Sequence, residues 1–161
     1  MEKSQEEKDI FFMEEALKEA KKAFDRDEVP IGAVIVFKDK VIARGHNQVE
    51  LLKDATAHAE MICLTSASEY LNDWRLNEAT IYCTVEPCLM CAGAILAARV
   101  KRIVWGTEDI RLGANGSWID VFSMKHPMHQ VEITKNILKN ESAALLKDFF
   151  QTKRKTKTSS S

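Results

Sequence analysis

Apolar residues recur every three or four positions through residues 5 to 26, with Ile10, Met13, Leu17, Ala20 and Phe24 on one stripe. That spacing predicts an amphipathic helix, which the stretch "RDEVP" stops at Pro30. The period then shortens. "IGAVIVFKDKVIARGHN" holds two β-branched runs around Lys38, Asp39 and Lys40, predicting a hairpin whose first strand Gly32 weakens slightly. Helical spacing returns from Thr56 to about Leu71, with Thr56 placed as an N-cap and His58 and Glu60 at the helix start.

"ATIYCTV" reads as a strand, "PCLMCAGAILAA" as a helix with its Pro in the first turn, and "VKRIVWG" as another strand. Strand, helix, strand is the pattern of a parallel crossover. A Gly-containing loop from Thr107 to Ser117, a short strand over Val131–Ile133 and a last helix from about Lys135 to Thr152 follow. "TKRKTKTSSS" is expected to be a disordered end. The order αββαβαβ(β)α predicts an α/β fold, a mixed sheet sandwiched between helices.

At 161 residues the chain suits one domain and is short for two. Its 45% hydrophobic and 29% charged residues are those of a globular protein. "MEKSQEEKDIFFMEE" carries no secretory signal, and no run of 18 apolar residues occurs, so a soluble, cytoplasmic protein with no membrane contact is expected. The net charge of −1 conceals an uneven distribution: residues 1 to 30 carry six Lys/Arg against ten Asp/Glu, and residues 147 to 157 carry five Lys/Arg against one Asp. Composition alone reads both runs as a solvated helix face and a frayed tail.

The four cysteines, at 63, 83, 88 and 91, are expected to stay reduced in a cytoplasmic chain, where a close pair points to metal or redox chemistry. Cys88 and Cys91 are three apart at a helix start, about 60° from each other around the axis, so both sulfurs leave one face. A helix N-terminus favours thiolate. Zinc ligation, thioredoxin-like exchange and two core cysteines all fit the pair. His58 favours zinc, because two thiolates and one imidazole leave a tetrahedral ion one open position. Cys63, Cys83, His46, His126 and His129 are candidates for a fourth ligand. The first two read better as core residues and the last two as loop residues. Glu60 lies about 200° from His58 on a regular helix, which argues against a shared ion; it is either a capping partner of the helix start or a carboxylate that handles the proton of an activated water.

"HAE" followed by "PCLMC" resembles the HxE and PCxxC signature of the zinc-dependent nucleobase deaminases. The likeness extends through "EVPIGAVIV", "GHN", "TVEPCLMCAGAI", "GANGS", "VEIT" and "ESAALLKDFF", which together look like the bacterial tRNA-specific adenosine deaminases of the cytidine deaminase-like group. The resemblance implies a three-layer α/β/α fold with a mixed five-stranded sheet and helices on both faces. It implies one deaminase domain over residues 1–155, with 156–161 a polar tail. It also implies hydrolytic deamination of adenosine to inosine at the anticodon wobble position, in which zinc-activated hydroxide attacks C6 and ammonia leaves.

By position, His58, Cys88 and Cys91 would bind one zinc per subunit and Glu60 would shuttle the proton. Asn47, Val29, Pro30 and Ala59 match substrate-binding positions, and Asp109, Arg111, Phe149, Phe150, Lys153 and Arg154 match RNA-contacting ones. The partners implied are a tRNA anticodon loop and a second copy of the chain. Glu108 departs from this picture by adding negative charge to a loop expected near phosphates, which Arg99, Lys101, Arg102 and the basic tail would offset. Two other readings keep the zinc: a same-fold deaminase of free guanine or cytosine, and a non-catalytic zinc module that binds RNA.

Overall fold

The computed structural model describes residues 2–159. Helix α1 spans Gln5–Asp25, capped by the Ser4 side chain, which accepts from the Glu7 N–H at 3.1 Å. The hairpin pairs β1 (Gly32–Phe37) with β2 (Lys40–His46). A four-residue helix α2 (Val49–Leu52), α3 (Ala59–Leu71), β3 (Thr80–Val85), α4 (Leu89–Ala97) and β4 (Arg102–Thr107) follow. A 3-10 turn at Val121–Ser123, β5 (Glu132–Thr134) and α5 (Lys139–Ser159) complete the chain.

The sheet is mixed and five-stranded, in the order β2-β1-β3-β4-β5. β1 runs antiparallel to both β2 and β3, while β3, β4 and β5 are parallel. Alternate residues along each strand face opposite layers. Ala33, Ile35, Ile81, Cys83, Ile103 and Trp105 join the core beneath α3 and α4. Val34, Val36, Tyr82 and Val104 pack with Phe12, Met13 and Ala16 of α1. Gly32 does more than weaken its strand: α1 crosses so close that a Cβ there would overlap the Ala16 and Ala20 backbone. Cys63 and Cys83 are fully buried core residues, as their surroundings in the sequence suggested.

Several boundaries move. Thr56 is not the N-cap of α3, because its N–H and hydroxyl both donate to the Asp54 carboxylate, at 2.8 and 2.7 Å, in a turn two residues earlier. The N-cap is His58, with an extended backbone. Pro87 lies outside α4, whose N-cap is Cys88. Helix α5 starts at Lys139 rather than Lys135, since Asn136 and Leu138 adopt left-handed φ values of 66° and 54°. It continues to Ser159 through a stretch with no Gly or Pro to stop it, so residues 153–159 are helical; Ser160 and Ser161 lie outside the described residues. Among the described residues no helix is long and apolar enough to cross a membrane.

Candidate metal centre and active site

The parallel crossover leaves a crevice outside the carboxyl ends of β3 and β4, the usual place for a ligand in such sheets. Two helix starts face it. Cys88 caps α4 and Cys91 follows in its first turn, while His58 caps α3. The His58 Nδ1 lies 3.6 Å from the Cys88 Sγ and 3.6 Å from the Cys91 Sγ. Among the described residues these three form the group of His, Cys, Asp or Glu side chains that could hold a metal ion, their ligand atoms all within 4.8 Å of one another. Bond lengths of a tetrahedral zinc with sulfur and imidazole set such ligand pairs about 3.5 to 3.8 Å apart, so the donor set fits zinc in both chemistry and spacing.

His46, Cys63, Cys83, His126 and His129 are not part of the group. His129 instead sits 2.6 Å from the Val100 carbonyl, and His46 stands 3.1 Å from the Arg26 guanidinium. Three protein ligands leave an open corner on a tetrahedral ion.

Electrostatics prepare the cysteines. Without a metal, the Cys91 hydrogen bond and then His58 hold the Cys88 thiol down at about 4, against the effect of burial. The same bond to Cys88, with burial, pushes Cys91 upward. Cys88 in turn raises the His58 imidazole through their hydrogen bond. Cysteine binds a soft metal as thiolate, the form that the lowered Cys88 favours, and histidine binds as neutral imidazole, so metal binding there would release protons.

Glu60 lies one position inside α3 and is 4% exposed. It lines the same cavity as His58 and Cys88. The divergence expected on a regular helix does not arise, because the extended backbone of His58 places the imidazole before the helix begins. Glu60 does not reach back to the N-cap, whose N–H donates to the Thr56 carbonyl at 2.8 Å; its carboxylate accepts from its own backbone N–H. Burial raises its carboxyl to about 7, with the Cys88 charge adding to the effect. The group is therefore suited to accept and return a proton near neutrality.

The cavity has a volume of 730 Å³, and its walls include Val29, Asn47, Asp109, Arg111, Phe149 and Lys153. Asn47 follows β2 and its side-chain oxygen accepts from the Ala59 N–H at 3.2 Å. Pro30 and Ala59 are buried behind the wall and do not line it. Phe149 stacks edge-on against Phe24 and Phe150, with centroids 5.8 and 5.4 Å away. Lys153 pairs with Asp27 at 2.6 Å across the cavity mouth; Phe150 and Arg154 stand on α5 beside it, outside the cavity.

The charge on Glu108 is met by Lys139 at 2.8 Å. Arg102 does not offset it, because its guanidinium is held by Asp9 inside the protein. Arg99 faces the Trp74 ring at 5.8 Å and Lys101 pairs with Glu78 at 3.6 Å.

Two buried carboxylates near the cavity escaped sequence reasoning. Glu28 accepts from the Glu50 and Leu51 N–H groups, both at 2.9 Å, and so holds the short α2 at the rim. Glu86 organises the opposite loop. Each stands directly before an X-Pro or Pro-Cys step inside a quoted motif, "EVP" and "EPC", which was the signal available.

Comparison with known proteins gives a consistent result. A family model described as MafB19-like deaminase matches residues 6–154. A protein of Bacillus subtilis named tRNA-specific adenosine deaminase is 43% identical over 149 residues, with 92% of each chain covered. A tRNA(adenine(34)) deaminase, chloroplastic, of Arabidopsis thaliana is 51% identical over 159 residues; the match takes in 89% of this chain and 12% of that longer protein. A solved structure from a study of A-to-I editing by tRNA:A34 deaminases at the wobble position of transfer RNA is 44% identical. It superposes with a TM-score of 0.81 and covers 84% of this chain and 98% of its own.

Proposed function

The chain belongs to the MafB19-like deaminases and, among them, to the tRNA-specific adenosine deaminases, and from that premise we infer that it hydrolyses adenosine to inosine at the wobble position of a tRNA anticodon, releasing ammonia. The observation that carries this reading is the meeting of His58, Cys88 and the buried Glu60 at one 730 Å³ cavity, with the buried Cys91 completing the donor group. Two cysteines and a histidine with an open corner are a catalytic rather than a structural donor set.

His58, Cys88 and Cys91 would hold one zinc per subunit. Zinc there would supply Lewis acidity that makes water a nucleophile near neutral pH. Glu60 takes a proton from that water and delivers it to the departing amino group, so that water and adenosine become inosine and ammonia. Asn47 orients the nucleoside from the β2 side, while Val29 forms apolar wall on the same side. Pro30 and Ala59 act from behind, by fixing Val29 and the start of α3. The cavity is open enough for a nucleotide swung out of its stack, a change that costs least in a single-stranded loop.

Asp109 and Arg111 on one side, and Phe149, Phe150, Lys153 and Arg154 of α5 on the other, flank the cavity mouth and would receive the rest of the anticodon loop. The outward face of α4, where Leu89, Gly93 and Ala97 recur every four residues and are exposed, supplies a flat apolar surface for a second copy of the chain. The protein would work as a homodimer in the cytoplasmic pool of tRNA.

The test compares inosine formation in a minimal anticodon stem-loop with ammonia release from free guanine, cytosine and adenine. Inosine in the stem-loop and no release from free bases is the expected outcome. Activity confined to a free base would overturn the assignment, and RNA binding without turnover by zinc-loaded protein would return it to a binding module.

A further inference from the structure

Glu86 is 3% exposed and stands two residues before Cys88, yet nothing in the reaction above uses it. Its carboxylate is directed at the loop of residues 108–117. One oxygen accepts from the Asp109 N–H at 3.2 Å and the Ser117 hydroxyl at 2.5 Å. The other accepts from the Asn115 N–H at 2.8 Å and the Ser117 N–H at 3.3 Å. Three backbone donors and a hydroxyl thus converge on two oxygens, an arrangement that suits a carboxylate and no neutral side chain of its size, since an amide would turn an NH2 group onto N–H donors.

The loop is also shaped around the group. Gly113 lies so close to the Glu86 carboxyl that a Cβ would overlap it. Its backbone pairs with Cys88 in an isolated antiparallel bridge, and the Ala114 N–H donates to the Pro87 carbonyl at 2.9 Å. Residues 86–88 and 113–117 therefore form a clasp that begins at a candidate metal ligand. The outer part of the same loop puts Asp109, Arg111 and Leu112 into the cavity wall.

We propose that Glu86 is a positioning residue for the substrate: by gathering the amides of Asp109, Asn115 and Ser117 it holds the 108–117 loop as a preformed wall of the cavity, against which the nucleotides flanking the target are seated. The loop has no regular helix or strand apart from isolated bridges. Turn hydrogen bonds such as Gly113 N–H to the Asp109 carbonyl and a bond from the Trp105 indole to Asn115 also shape it, but Glu86 is the group that ties its two ends, at Asp109 and Ser117, to one point. This rests on the reading of the chain as a tRNA deaminase; the clasp itself does not.

The experiment compares wild type with Glu86→Gln and Ser117→Ala by amide hydrogen exchange, metal content, affinity for the anticodon stem-loop, and kcat and KM. In Glu86→Gln, exchange at 109, 115 and 117 should quicken by at least ~10-fold, about what losing one such bond implies. Metal stoichiometry should hold, stem-loop affinity should fall, and KM should rise by more than kcat falls. Ser117→Ala, which removes one donor and keeps the charge, should shift the same quantities by less. Unchanged protection in Glu86→Gln overturns the proposal, as does faster exchange with unchanged RNA affinity. Should Glu86→Gln fail to fold, Ser117→Ala decides by the same criteria. Absence of inosine formation by the wild type would remove the functional reading alone, leaving the exchange comparison to decide the clasp.

Discussion

The Asn47 side-chain oxygen accepts a hydrogen bond from the Ala59 N–H at 3.2 Å, so the turn after β2 caps the helix that carries Glu60. A helix start needs such an acceptor, and His58 does not supply one from its own side chain. Asn47→Ala would leave that buried donor unmet, a loss of about 1–3 kcal/mol. Its urea midpoint should fall and its turnover should drop by roughly tenfold or more, whereas Asn47→Asp, which keeps the acceptor, should retain most of the stability. An Asn47→Ala protein as stable as wild type would show that the bond does not hold α3.

Glu60 separates chemistry from binding. Glu60→Gln should keep its metal and its affinity for the anticodon stem-loop while losing roughly 10²- to 10⁴-fold in turnover, the range for removing a general acid-base group. Metal content, RNA affinity and single-turnover rate on the same preparation check it. Retained turnover would take Glu60 out of the mechanism.

Asp9 and Arg102 predict an acid-sensitive core. Burial alone would raise the Asp9 carboxyl, but hydrogen bonds from Arg102 and Tyr82 outweigh it and hold the group below its ordinary 3.8. A lowered folded value means that the stabilisation is present in full above 3.8 and is lost as pH falls through that lower value. Asp9→Asn should cost about 3–5 kcal/mol at pH 7, since it strands a buried guanidinium. The gap from wild type should narrow as pH drops below 3.8. Urea unfolding at several pH values measures this, and a gap independent of pH would contradict it.

Much of the fold was legible because it repeats a period. The stripe of α1, the β-branched hairpin and the β3-α4-β4 crossover follow from spacing alone, and the likeness of "HAE" and "PCLMC" to zinc deaminases picked out the residues that meet at the cavity. What spacing hid were interactions between distant segments. Helix α2 is four residues long, too short to display a period. Arg102 looks like a surface charge until Asp9, 93 residues away, is seen to hold it. Thr56 has the chemistry of an N-cap, but Asp54 captures its hydroxyl first. Glu28 and Glu86 went unassigned because, beyond a neighbouring proline, no local pattern announces the backbone amides that gather around them.

RNA affinity should depend on salt. Lys153 is tied to Asp27 in the free protein, and phosphate would have to displace that carboxylate. The slope of log K against log salt should be steep, and Lys153→Ala should reduce it by up to ~0.7, the share of one phosphate contact on a single strand. Filter binding or fluorescence anisotropy across a salt series is sufficient. A flat response would mean that the basic end of α5 does not meet RNA.

The account depends most on a metal held by one imidazole and two sulfurs with a corner left for water. Metal analysis of active protein, joined to X-ray absorption at the zinc edge, tests this directly. One zinc per chain with two sulfur and one nitrogen protein ligands and a light-atom fourth ligand, the zinc being lost from Cys88→Ser, is the predicted result. An active protein free of metal, or an ion closed in by four side chains, would contradict it.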